Sequence, residues 1–250
     1  MRALLDGRLA DAEAQVLESM RLAEHAQSPS MGLQALGPLV YLRIEQGRAH
    51  EIEAATRGQM QRFPDTAAWR SALAALLAAA GRLDDARREL ARLAREDFTD
   101  VPRDRGWLPS LAFAAEVAHA IGDAATAERL HVLLSPYARL CVVAGSLLFY
   151  GSVAHHLGLL AATLGRDEDA LTHFGRALDL HERMGARAWT ARTQLAMAEL
   201  LARRGGADDG DRAADLAAAA VATARALGLE RIAAAARRFD LPRLRAVPRP

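Results

Sequence analysis

The chain has 250 residues, a net charge of +1, 51% hydrophobic residues and only 5% aromatics, so a sizeable core built from Ala and Leu is expected and a strongly cationic nucleic-acid surface is not. All its basic residues are Arg, with no Lys and no Asn, which excludes a complete P-loop, Schiff-base or protein-kinase site, since each needs a lysine ammonium. Cys141 is the single cysteine, which excludes an internal disulfide and any zinc site needing two thiolates, and fits a reducing, cytoplasmic setting.

Ala and Leu favour helices, and β-branched residues are scarce, so an all-α fold is predicted. The chain opens with no apolar run of signal-peptide length. Gly7-Arg8 followed by LADAEAQVLESMRLAEHAQ reads as the second half of a helical hairpin whose first helix is missing, which would leave an apolar face uncovered. Met31 to Gln46 and Ala49 to Arg62 form the next pair, then Thr66 to Ala80 and Leu83 to Glu96. The turn glycines Gly47 and Gly81 stand 34 residues apart. A connector, DFTDVPRDRG, precedes Trp107 to Ile121 and Ala124 to Leu134, which are joined at Gly122-Asp123. Ser135-Pro136 breaks the chain, and Tyr137 to Val143 is expected to be an irregular or short helical link. Arg187 to Arg204 and Asp211 to Leu227 make a further pair around an enlarged Gly-rich turn. Glu230 to Phe239 is predicted to cap the array, and residues 241–250 to be a disordered tail after a repeat domain over 1–240.

The stretch from Ser152 to Met184 is the clearest unit. Leu157, Gly158, Ala161 and Leu164 lie on one helix face, Gly165 ends that helix, and Ala170, Phe174, Ala177 and Leu178 form the matching stripe of a second. The small residues permit close approach and Phe174 fills the space between hairpins. With Gly158 at the eighth place of a 34-residue unit, Ala170, Phe174 and Ala177 fall at the twentieth, twenty-fourth and twenty-seventh. This small–large–small register resembles a tetratricopeptide repeat. Ala161 and Glu182 depart from it, standing where an aromatic residue and a proline are common. The resemblance implies a right-handed superhelical solenoid of about five to six hairpins, the first incomplete and the last helix capping.

Catalytic signatures are lacking. Adjacent helical residues such as His155 and His156 point about 100° apart, so His155 is read as lining a groove and His156 as packing beside a neighbouring unit. His173 and His181 are read as exposed residues of a second helix. Asp84-Asp85 and Asp167-Asp169 open second helices, where negative charge offsets the helix dipole. Asp208, Asp209 and Asp211 lack the closing Glu of a calcium loop. The stretch from Leu140 to Gly165 carries no Asp, Glu or Arg, yet its glycines and paired histidines argue against a bilayer span. No cofactor, metal, nucleic acid or membrane partner is expected.

In tetratricopeptide arrays the first helix of each hairpin lines the concave face. Carried over unit by unit, that place falls on Gln34, Tyr41, Glu45, Ser71, Glu116, His119, His155, Thr163, Arg192, Glu199 and Arg203, which the resemblance makes the groove-binding residues. GSVAHHLGLLAATLGRDEDALTHFGRALDLHERMGARAWTARTQLAMAELLARRG, with the Ala/Arg-rich helices after it, is also similar to the carboxy-terminal arm of bacterial LuxR-type regulators with a STAND-class ATPase and of ATPase-linked nucleotide cyclases. That likeness implies a non-enzymatic interaction scaffold that grips a protein or peptide segment and serves an upstream ATPase or cyclase domain. The alternative it leaves open is an arm that senses a small effector.

Overall fold

Gly158 and Phe174 set the unit that the rest of the chain repeats. In the computed structural model, which describes residues 1–144 and 148–236, α9 (Val153–Thr163) and α10 (Asp167–Met184) close on each other with Phe174 fully buried. A Cβ on Gly158 would lie 2.5 Å from the Phe174 ring, so only glycine lets the two helices approach this closely. Gly165, at φ +71°, ends α9 and turns the chain into α10.

The other hairpins follow in order. A four-residue α1 (Arg2–Leu5) precedes α2 (Leu9–His25). Then come α3 (Pro29–Glu45) with α4 (Glu53–Arg62), α5 (Ala67–Ala79) with α6 (Leu83–Leu93), and α7 (Trp107–Ile121) with α8 (Ala124–Leu134). After α9 and α10 stand α11 (Arg187–Arg204) with α12 (Asp209–Leu227), and a last helix, α13 (Glu230–Ala236). Together they form an all-α, right-handed superhelical solenoid. Turns of the form Gly-Arg-x-x-Asp/Glu recur, with Arg8 on Asp11 at 2.5 Å and Arg48 on Glu51 at 2.7 Å. These pairs are exposed and worth little energy, but they fix how the second helix starts. The side chain of Asp123 caps α8 by accepting from the Thr126 N–H.

The odd-numbered helices lie inside and the even-numbered ones outside. Inner helices α3, α5, α7, α9, α11 and α13 each touch the next, and α13 returns to touch α3. The superhelix therefore closes on itself within one turn. The amino-terminal face expected to be uncovered is covered in part: α1 packs on α11, and Gly7 is covered by Leu227, whose Cδ1 lies 2.4 Å from where a Gly7 Cβ would sit, while α2 leaves Leu17 and Leu22 exposed.

The link expected over Tyr137 to Val143 is also different. A single 3-10 turn over Ser135–Tyr137 leads into an antiparallel hairpin, β1 (Cys141–Ala144) and β2 (Leu148–Ser152), whose second strand is wholly buried. Val142, Val143, Phe149 and Tyr150 are strand formers, and all but the exposed Val143 are buried in the core. Tyr150 stands 5.9 Å from Tyr41, 4.3 Å from Phe113 and 5.1 Å from Trp189, measured between ring centroids. Outside residues 145–147, the uncharged run from Leu140 to Gly165 is thus a strand pair and an inner helix. Among the described residues no helix is long and apolar enough to cross a membrane.

Gly151 joins this strand pair to α9 at φ +76°, and a Cβ there would fall 2.4 Å from the Trp189 ring. Gly151→Ala combines a disfavoured backbone with overpacking and is expected to cost about 2–3 kcal/mol, read as a lower urea midpoint. An unchanged midpoint would mean that the hairpin does not seat on Trp189.

Smaller differences concern boundaries. The helix expected from Ala49 begins as a 3-10 turn over Ala49–Glu51, and α6 ends at Leu93 before an irregular turn in which Glu96, Asp97 and Phe98 have positive φ. α12 starts at Asp209, two residues before expectation, because Asp209 accepts from Gly206 N–H and Arg204 and so tightens the turn. The expected tail over 241–250, and the end of the capping helix beyond Ala236, lie outside the described residues.

Candidate functional site: the closed inner face

Five of the inner helices, α3, α7, α9, α11 and α13, bring polar and aromatic residues to the middle of the ring. α3 carries Tyr41 and, one turn on, Glu45; α7 carries Glu116 and His119; α9 carries His155 and His156; α11 carries Trp189, Arg192 and Thr193; α13 carries Arg231. Arg192 donates from Nη1 to Glu45 at 2.9 Å and stands 2.7 Å from Glu116 through Nη2. Its guanidinium carbon lies 4.3 Å from the Trp189 ring centroid. Burial by itself would raise the Glu116 pKa, but the neighbouring Arg192 and Arg231 cations override it and hold the carboxyl at about 2. Arg231 approaches the same two oxygens at 3.4 and 3.6 Å.

A second network sits behind the charges. Ser152 N–H donates to His181 Nε2 at 3.0 Å, and His181 Nδ1 lies 3.3 Å from Thr193 Oγ1. His155 Nδ1 meets the same oxygen at 2.9 Å, while the Thr193 hydroxyl donates to Trp189 O. With its proton committed to that carbonyl, Thr193 can only accept, so both imidazoles are neutral and carry their hydrogen on Nδ1. His156 Nε2 donates to Tyr150 O at 3.1 Å. Burial pushes all three histidines down, His181 to about 3. The expectation of an exposed His181 is therefore corrected: its side chain has no accessible surface. One hairpin earlier the arrangement repeats, with His119 Nδ1 on Thr163 Oγ1 at 2.9 Å.

The expected groove residues fall into three groups. Tyr41, Glu45, Ser71, Glu116, His155 and Arg192 are buried, and Ser71 bonds only to Ala68 O of its own helix. His119 and Thr163 are half-buried and paired with each other. Gln34, Glu199 and Arg203 are exposed, Arg203 reaching Ala162 O and Asp167. Glu45 and Glu116 are each brought into direct contact with Arg192. Ser71 is not part of that cluster. Tyr150, Trp189, His181, Thr193 and Arg231 belong to the site but are not among the groove residues expected from the sequence.

Two openings reach the inner face at opposite ends of α7. A cavity of about 150 Å³ is lined by Glu116, His119, His155, Arg192, Glu199 and Arg231. A larger cleft of about 390 Å³ lies between α3, α5 and α7, with Phe63, Trp69 and Phe113 in its wall and Gln34, Asp65 and Arg105 among its polar residues. Glu116 Oε1 and Glu45 Oε2 are buried without a hydrogen-bond partner among the described residues. No group of three or more His, Cys, Asp or Glu among the described residues is placed to hold a metal ion.

The sequence model of the tetratricopeptide-repeat family matches residues 43–103, a segment running from the end of α3 through α4, α5 and α6 to the connector before α7. No curated protein matches the chain. The protein is thus tetratricopeptide-like and helical throughout its repeats. Repeats of this kind generally mediate protein–protein interaction and are generally non-catalytic.

Proposed function

We propose that the chain is a non-enzymatic protein-interaction scaffold, its repeat domain spanning residues 1–240, that serves as the regulatory arm of a cytoplasmic bacterial signalling or transcription-regulating system. The LuxR-type, STAND-ATPase and nucleotide-cyclase regulators are the parent proteins this reading favours. Its occupant is a peptide segment of the protein it regulates. The observation that carries the reading is the 390 Å³ cleft between α3, α5 and α7, which overlaps the segment matching the repeat family and offers aromatic walls under a polar rim. Exposed Gln34 stands at that cleft, whereas Glu199 and Arg203 stand towards the other end of the inner face.

Ala68→Arg places a long cation in the cleft without entering the core. In a pull-down with the full chain as bait it is expected to cut recovery of the bound protein at least about ten-fold while leaving the melting temperature unchanged. Equal capture by the variant and the wild type sinks the cleft as the docking place. Loss with Glu199→Ala/Arg203→Ala instead would move the contact to the other opening.

A second reading, a small-effector sensor, is favoured by the 150 Å³ cavity and the unpartnered Glu116 oxygen beside it. Thermal stabilisation by a metabolite with no protein recovered would support it.

A further inference from the structure

The inner face carries an unequal charge count before α13 is added. Glu45 and Glu116 contribute two negative charges where α3, α7 and α11 converge, and Arg192 contributes one positive charge. A residual negative charge in a buried site is costly, so whatever covers this face must bring a cation. In this structure the cover is α13 and the cation is Arg231.

The cover is held loosely by comparison with what it covers. Arg192 is 6% exposed with contacts of 2.9 and 2.7 Å, whereas Arg231 is 37% exposed with contacts of 3.4 and 3.6 Å. Both arginines use the same two oxygens, so Arg231 adds charge and no new hydrogen-bond acceptor is satisfied. Among the described residues the apolar hold rests on buried Leu229, Ile232 and Ala236, with the small side chains of Ala233 and Ala235 packed half-buried beside them. Gly228, in the left-handed region at φ +67°, caps α12 and marks the break between α12 and α13.

We propose that α13 is a displaceable cover, and that the partner fitting beneath it is a short apolar helix bearing one arginine whose guanidinium replaces Arg231 between Glu45 and Glu116. The signature of that helix is the one α13 itself displays: Leu229, Arg231 and Ile232 within one turn, then small residues through Ala236. This rests on the scaffold reading only in naming a peptide as occupant. Its site lies at the other end of α7 from Phe63 and Trp69, so blocking the cleft with Ala68→Arg leaves it intact.

The test uses the full chain carrying Arg231→Ala/Ile232→Ser, which weakens the cover. The probes are a synthetic peptide of residues 227–236, the same peptide with alanine in place of its arginine, and methylguanidinium. The arginine peptide is expected to bind the double variant at least about ten-fold more tightly than the alanine peptide does, and at least about ten-fold more tightly than it binds the wild type, whose own Arg231 competes. Binding is read from tryptophan fluorescence, with Trp189 beside Arg192, and from the rise in melting temperature.

Equal binding of the two peptides, or no binding to a variant that circular dichroism shows to be folded, overturns the proposal. Methylguanidinium acting as strongly as the arginine peptide overturns the helical occupant in favour of a small cation. Should the double variant not fold, Arg231→Gln takes its place with the same probes. Failure of that variant to fold would show α13 to be a fixed part of the core and overturn the idea of a cover.

Discussion

Acidification from about pH 7 to about pH 5 is expected to cost the fold about 2 kcal/mol through His181 alone. In the folded chain burial holds His181 down at about 3, against 6.5 when free, so the unfolded state takes up a proton that the native state refuses. The contribution is intact above pH 6.5 and is lost as the pH falls towards 3. The geometry shows why: Nε2 already accepts from Ser152 N–H, and a proton there would face another hydrogen. His155 and His156 are pushed in the same direction by burial and add to the loss. Glu116 does not confound the measurement, because its carboxyl stays ionised until the pH approaches 2, below the histidine window. Urea unfolding at the two pH values measures the effect, and an unfolding free energy that does not fall between them would mean that these imidazoles are not buried and neutral.

Arg192→Ala should be the most damaging single substitution on the inner face. It leaves Glu45, with no accessible surface, and Glu116 facing only the half-exposed Arg231. Removing one partner of a buried ion cluster costs about 3–5 kcal/mol, which for a chain of this size lowers the melting temperature by roughly 10 °C. Removing all three charges together, as Arg192→Met/Glu45→Leu/Glu116→Leu, should recover much of that loss, since an apolar replacement leaves no charge stranded. A drop below about 1 kcal/mol for Arg192→Ala would show that water reaches the carboxylates.

Much of the hairpin architecture was legible because periodicity and glycine placement are local signals. α7, α8 and α11 begin and end on the residues expected from pattern alone, and Phe174 lies fully buried against Gly158. His181 was readable too, since it continues the stripe of Ala170, Phe174 and Ala177 at spacings of four and three; assigning it to an exposed outer helix overrode that period. The β-hairpin had a signal in the uncharged run holding Val142, Val143, Phe149 and Tyr150, masked by the helical bias of everything around it. Ring closure had no local signal. It depends on the small rotation between successive hairpins, which sums over the array and is set by packing. The repeat register leads one to expect Glu45, Glu116 and Arg192 on the inner helices, but nothing in their spacing shows that they meet.

That closure changes how the molecule comes apart. In an open array each hairpin leans only on its neighbours, and the ends fray independently. Here Leu227 of α12 covers Gly7 and α1 packs on α11, while Arg231 of the α13 cover reaches Glu45 across 186 positions of sequence, so beneath that cover the first and last hairpins share one fate. Loosening either end exposes the other, and unfolding should be a single concerted transition rather than a peeling from one side. Folding carries the complementary cost, since a contact of such long range can form only after the intervening hairpins have assembled, and its slowest phase should be the docking of α13.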